Sequence, residues 1–223
     1  MYKNILISMA TGLVLFVGSS AQDTMMTKTD NQTISDSMAV KNALNVGAKM
    51  PSFILKDANN NAVSSDDLLK QGNLVLVFYR GAWCPFCNLY LKNLQKNLDQ
   101  IKANGGVLAA ISVENPDSSM MVSKKNELNF TVLSDPKLET ARKFKIVYQL
   151  PPETNEKYKS YGIDLVKQNG TETADLPLSA TFIVNQNGEI TYAFIENDYK
   201  KRAEPTVIIE NLAKLKTAKM PKK

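Results

Sequence analysis

Phe78-Tyr79-Arg80-Gly81-Ala82-Trp83-Cys84-Pro85-Phe86-Cys87 holds the only two cysteines of the 223-residue chain. Before it, Asn73 to Tyr79 (NLVLVFY) is short, apolar and β-branched, which predicts a buried strand. After it, Phe86, Leu89, Tyr90, Leu94, Leu98 and Ile101 recur at helical spacing until Gly105-Gly106, with Pro85 suited to a first helical turn. Both thiols therefore belong to a strand-to-helix turn. There the free N–H groups and the positive end of the helix dipole favour thiolate over thiol. Lowering a cysteine pKa from ~8.5 to ~6 raises the thiolate fraction at pH 7 from roughly 3% to about 90%. The motif predicts a thiol redox site.

At 43% hydrophobic and 22% charged residues the chain can bury one substantial core, so one globular domain is expected. Met1 to Asn4 with Lys3, the apolar stretch Ile5 to Val17 and the small residues up to Ala21 follow the order of a secretory signal. That stretch would span only about 20 Å as a helix, against ~30 Å of hydrocarbon. Residues 1–21 are thus expected to be a cleaved signal peptide, 22–44 a flexible polar leader, 45–217 the folded domain and 218–223 a basic tail. The protein would be exported, to the periplasm or outside the cell, with no stable membrane association after cleavage. The net charge of +5 is mild and concentrated in tail lysines, without interleaved arginines and aromatics, so no nucleic-acid partner is expected.

The chain contains no histidine. Cys–His nucleophile activation, histidine acid–base work and the usual zinc sets are excluded, and neither a metal nor an organic cofactor is expected. Two cysteines three apart close too small a loop for a purely structural disulfide.

Along the chain the pattern alternates. Phe53 to Leu55 reads as a strand, Ser64-Ser65-Asp66-Asp67 as a helix start, Val107 to Val113 as a second buried strand and Ser118 to Leu128 as a helix. Thr131 to Ser134 reads as a strand, and Asp135-Pro136 opens a helix with Leu138, Ala141 and Phe144 on one face. Tyr148 to Leu178 reads as a polar excursion of weak periodicity. Thr181 to Val184 and Ile190 to Ile195 form a hairpin across Asn185-Gln186-Asn187-Gly188, and Pro205 begins a closing helix. The expected architecture is α/β, a central mixed β-sheet flanked by helices, with the thiols beyond a strand's carboxyl end.

From about Val46 to Leu215 these residues resemble the peroxiredoxins of the alkyl hydroperoxide reductase and thiol-specific antioxidant family. The resemblance rests on Gly47 to Leu55 (GAKMPSFIL), Val77-Phe78-Tyr79, Leu133-Ser134-Asp135-Pro136 and Ala180 to Val184 (ATFIV). It implies a thioredoxin-like fold and thiol-dependent reduction of hydrogen peroxide or organic hydroperoxides. In the family pattern a proline stands four residues before a threonine, which stands three before the peroxidatic cysteine; Arg80, Cys84 and Cys87 occupy those places here. That register makes Cys87 the peroxidatic sulfur and Cys84 the resolving one, with a thioredoxin-like dithiol protein as reductant.

The segment Trp83-Cys84-Pro85-Phe86-Cys87 also resembles the Trp-Cys-x-x-Cys motif of thioredoxin, in which the first cysteine attacks. The alternative implied is an exported thiol-disulfide oxidoreductase with Cys84 as nucleophile. Ala180 stands where thioredoxins place a proline before the threonine matched by Thr181, which favours the peroxiredoxin register. Ser179 stands where the family has a second arginine. Arg80 is then the expected thiolate stabiliser and peroxide-oxygen donor, and Arg202 a second candidate. Trp83 and Thr181 complete the expected substrate-binding set, and Phe86 and Tyr199 are candidates to shield the thiols or dock a reductant.

Overall fold

The computed structural model describes residues 34–169 and 173–218. The expected signal peptide, residues 22–33 of the expected leader and residues 219–223 of the expected tail lie outside the described residues. In chain order the elements are α1 (Asp36–Asn42), β1 (Ile54–Asp57), β2 (Ala62–Ser64), α2 (Ser65–Gln71), β3 (Asn73–Tyr79), α3 (Pro85–Lys96), α4 (Leu98–Ala103) and β4 (Gly106–Ser112). They continue as α5 (Pro116–Asn126), β5 (Thr131–Ser134), α6 (Glu139–Lys143), β6 (Val147–Gln149), α7 (Pro152–Ser160), α8 (Leu165–Asn169), β7 (Asp175–Pro177), β8 (Ser179–Val184), β9 (Ile190–Glu196) and α9 (Pro205–Ala218).

Seven strands form one mixed sheet in the order β2-β1-β5-β4-β3-β8-β9, and β6 and β7 form a separate antiparallel pair. β3 runs parallel to β4, with Tyr79 opposite Ser112, and antiparallel to β8, with Val77 opposite Thr181. Every residue of β3 is buried, because both faces of the sheet are covered and its side chains alternate between them. Leu74, Leu76 and Phe78 enter one core with Leu68, Leu133, Phe144 and Phe182. Val75, Val77 and Tyr79 enter the other with Leu91, Leu94, Ile101, Ile208 and Leu212. Phe78 packs with its ring centroid 5.0 Å from Phe144 and 6.2 Å from Phe182, so truncating it to alanine is expected to cost about 3–5 kcal/mol.

The expected α/β architecture is present, with three departures. The segment 22–44 does not run as leader to its end: Ser35 caps α1 by accepting from the Met38 N–H, Ala39 is buried, and Leu44 N–H bonds to Phe144 O at 3.1 Å. Three consecutive apolar residues, Met38-Ala39-Val40, in a seven-residue helix are too short a run to show a helical period. The long helix after Cys84 breaks at Asn97 into α3 and α4, whose apolar side chains still share one core. The excursion between Tyr148 and Leu178 contains α7, α8 and the β6–β7 pair. α7 buries none of its residues fully, and strands of three residues are too short to show alternation.

Candidate active site

The sulfurs sit where β3 ends and α3 begins. After Tyr79 the chain turns through Gly81, whose φ of +149° and close neighbours call for glycine: a Cβ there would collide with Trp83 Nε1 and stand 3.1 Å from the Glu114 carboxyl carbon. Cys84 is the residue capping α3, with Pro85 at the first helical position. The loop is held to its surroundings by Asn88, which donates to Ala82 O at 2.6 Å and Cys84 O at 3.1 Å and accepts from Asn126 of α5 at 2.9 Å. Both thiols are free, and both are closed to solvent, Cys84 at 1% exposure and Cys87 at 0%.

The two sulfurs differ in charge preference. The Cys87 thiol, turned toward Cys84, lowers the Cys84 pKa to about 6 against the opposing effect of burial, helped by the Cys87 N–H, Arg80 and Arg202. Burial, the thiol hydrogen bond and the Cys84 charge push Cys87 well above its ordinary range, opposed by Arg202 and the Arg80 main-chain N–H. In the reduced pair the first negative charge therefore rests on Cys84 while Cys87 keeps its proton.

Arg202, which lies 115 residues from Cys87, donates from Nη2 to the Cys87 sulfur at 3.4 Å. Its other terminal nitrogen donates to the carbonyls of Tyr199 and Lys201, fixing the guanidinium in the β9–α9 loop. Arg80 is placed differently. It is 2% exposed, donates to the Tyr158 hydroxyl and stands among three rings, 4.8 Å from Trp83, 5.3 Å from Tyr158 and 4.3 Å from Tyr199. The guanidinium is boxed by aromatic faces, and its charge reaches Cys84 through space. The arginine in direct contact with the Cys87 sulfur is thus Arg202.

Thr181 reaches the site through Tyr90. Its hydroxyl lies 3.3 Å from the Tyr90 hydroxyl, which donates to Ala203 O at 2.9 Å, next to Arg202. That chain steadies the arginine loop and ties Thr181 to it through Tyr90. Trp83 is partly buried and lines the Arg80 box, edge-on to Tyr158 at 5.6 Å, and Phe86 is 40% exposed with its ring edge-on to Tyr199 at 5.7 Å. No group of three or more metal-ligating side chains occurs among the described residues.

Two residues near the thiols escaped the sequence. Tyr158 sits on α7, inside the segment read as a polar excursion. Glu114 follows β4, where its charge after VLAAISV was the available signal. It is 6% exposed, accepts the Ala82 N–H at 2.7 Å, and burial lifts its pKa to about 7, the Cys87 charge adding to the rise.

The AhpC/TSA family profile matches residues 46–193. The chain belongs to the AhpC/TSA family. This peroxiredoxin-like oxidoreductase is 28% identical over 169 residues to peroxiredoxin Bcp of Escherichia coli, covering 75% of this chain and 95% of the relative. The putative peroxiredoxin bcp of Haemophilus influenzae is 29% identical over 175 residues, covering 78% and 99%. Among solved structures, peroxidoxin BcpB of Mycobacterium tuberculosis superposes with a TM-score of 0.63 at 16% identity, covering 77% of this chain and 98% of that one. A cysteine-to-serine mutant of the peroxiredoxin 6 of Arenicola marina gives 0.64 at 16% identity, covering 79% and 76%. The fold is the thioredoxin fold of the peroxiredoxins.

Proposed function

We propose that the chain reduces peroxides with the Cys84–Cys87 pair, Cys87 attacking and Cys84 resolving. The observation that carries the assignment is the Arg202 guanidinium on the Cys87 sulfur at 3.4 Å. A cation there stabilises thiolate on that sulfur and can donate to the oxygen that departs. The Cys87 thiolate attacks the peroxide O–O bond, forming a sulfenic acid and releasing an alcohol or water. Cys84 then attacks that sulfur, giving a Cys84–Cys87 disulfide and water. Because both thiols share one helix start, resolution needs no distant cysteine to arrive. A thioredoxin-like dithiol protein returns the pair to the reduced state. Since both sulfurs are covered, the side chains over them must shift to admit substrate. The test is single-turnover peroxide consumption: Cys84→Ser should still consume one equivalent and trap a sulfenic acid on Cys87, and Cys87→Ser should not.

A second reading, thiol-disulfide exchange through Cys84, is favoured by the fall of that thiol to about 6. It requires Cys87→Ser to accumulate mixed disulfides through Cys84 while leaving peroxide intact. For location, Lys3, the stretch Ile5 to Val17 and Ala21 support an exported mature chain starting near Gln22. Mass spectrometry of the soluble cytoplasmic protein overturns that if Met1 to Ala21 are retained.

A further inference from the structure

Cys87 and Tyr90 stand three apart on α3, so they share one face of the helix. The β9–α9 loop meets them with two successive residues. Arg202 donates from Nη2 to the Cys87 sulfur at 3.4 Å, and the next carbonyl, that of Ala203, accepts the Tyr90 hydroxyl at 2.9 Å. These are two rungs between one helix and one loop. The first is a long contact from the end of a flexible side chain to sulfur, a weak acceptor. The second joins a buried ring to the main chain of a buried residue, Tyr90 at 5% exposure and Ala203 at 1%. The stiffer rung sets the register of the looser one.

The proton count on the second rung fixes its direction. A carbonyl only accepts, so the single proton of the Tyr90 hydroxyl is committed to Ala203. The Thr181 hydroxyl, 3.3 Å from the same oxygen, is then the donor to it. Thr181 is itself fixed, 1% exposed on β8 and in register with Val77 of β3, the strand that delivers the cysteine loop. The Arg202 guanidinium carbon also lies 5.7 Å from the Tyr90 ring centroid, so the ring bears on the arginine side chain while the hydroxyl bears on the backbone beside it. Burial raises the Tyr90 pKa, which keeps the hydroxyl protonated and donating.

We propose that Tyr90, oriented by Thr181, is the positioning residue that places the Arg202 guanidinium on the Cys87 sulfur and so sets how fast that thiol is oxidised. The inference rests on Cys87 being the attacking sulfur. Tyr90 gives up no proton and forms no covalent bond in the reaction. Without its hydroxyl the Ala203 carbonyl loses its bond to α3, and the hydrogen bonds left to hold the guanidinium away from the sulfur are those to its own loop, at Tyr199 O and Lys201 O. The guanidinium then follows the loop instead of the thiol.

The experiment is stopped-flow oxidation of the full chain by hydrogen peroxide in a Cys84→Ser background. Tyr90→Phe, Thr181→Val, Thr181→Ser and Arg202→Met are compared, with Tyr90→Phe also combined with Arg202→Met. Phenylalanine keeps the ring and removes the hydroxyl. Tyr90→Phe should slow Cys87 oxidation roughly three- to tenfold, the worth of one neutral hydrogen bond. On top of Arg202→Met the same change should cost less than about twofold, because no guanidinium is left to misplace. Thr181→Val should slow the reaction too, and Thr181→Ser should recover most of that loss because serine keeps the donor. A Tyr90→Phe rate within about twofold of its parent, or an equal loss with and without Arg202, overturns the proposal in favour of a packing role. If Tyr90→Phe does not fold, Thr181→Val against Thr181→Ser, each with and without Arg202→Met, decides by the same two criteria. Failure of Cys84→Ser itself to react with peroxide overturns the Cys87 assignment and the role of Tyr90 with it. A reactive Cys84→Ser protein indifferent to Tyr90→Phe overturns the role of Tyr90 alone.

Discussion

The cysteine loop at the end of β3 and the β9–α9 loop meet at one sulfur and contribute to it in opposite ways. The first is sequence-local and enclosed around its thiols: it supplies both sulfurs, and its own arginine is turned into an aromatic box with Tyr158 as hydrogen-bond acceptor. The second is remote in sequence and partly open to solvent, yet its arginine is the one on Cys87. Nearness in sequence to a reactive sulfur is therefore a poor guide to which charge serves it. A residue one position past a strand is aimed by the sheet's alternation, whereas a loop anchored at Ala203 by Tyr90 can be aimed at the strand's end.

Both loops act on the Cys87 sulfur, so its removal carries the largest expected effect. Cys87→Ser is expected to lower peroxide turnover by roughly a thousandfold or more, read as NADPH consumption in a coupled reductase assay. Survival of that activity would move the chemistry to Cys84, and the low Cys84 pKa would become the central fact.

Separating the two arginines comes next. A hydrogen bond to a charged group is worth about 1.5–3 kcal/mol, so Arg202→Met should slow Cys87 oxidation by roughly ten- to a hundredfold in stopped flow, with little change in melting temperature. Arg80→Met should do the reverse. Its contact with Cys84 is long-range, so the rate should fall by less than about tenfold. Loss of stacking on three rings and of the Tyr158 bond should cost about 2–4 kcal/mol in denaturant unfolding. An Arg80 variant slower than the Arg202 variant would reverse the roles given to the two loops.

Tyr158→Phe probes the aromatic box alone. It removes the acceptor of the Arg80 guanidinium and should destabilise the chain by about 1–2 kcal/mol without altering the rate of the oxidised pair's reduction by dithiothreitol more than about twofold.

Stability should also depend on pH, with two limbs of opposite sign. Glu114 is raised in the folded chain from an ordinary 4.5 to about 7. Its contribution is complete below pH ~4.5 and lost as the pH rises through 7, about 3 kcal/mol in all. Cys84 is lowered from an ordinary 9.0 to about 6. Its contribution is complete above pH ~9 and lost as the pH falls through 6. Urea midpoints of the reduced protein should fall as the pH rises from about 4.5 toward 7 and recover above. Glu114→Gln should flatten the falling limb, and disulfide formation should remove the rising one.

The framework of the sheet and the location of the chemistry are legible in the amino-acid sequence. β3, β4 and β5 are buried apolar runs whose composition alone marks them, and a Cys-Pro-x-Cys turn after such a run puts thiols at a helix start whatever surrounds it. The hairpin β8–β9 was equally legible from its Asn-Gln-Asn-Gly link. What stands around the sulfurs arises from long-range packing. α1 is only seven residues long and α7 buries none of its residues fully, so no periodicity marks them, yet α7 carries Tyr158 to Arg80. Arg202 looks like any charge in a polar loop until Tyr90 and Ala203 bring it to Cys87. Glu114 gains its chemistry from burial against the cysteine loop, and the ordering of the two thiols arises from their mutual hydrogen bond. These are properties of a shared low-dielectric pocket assembled from β3, β4, α3 and the β9–α9 loop, and proximity across such separations leaves no local trace in the chain.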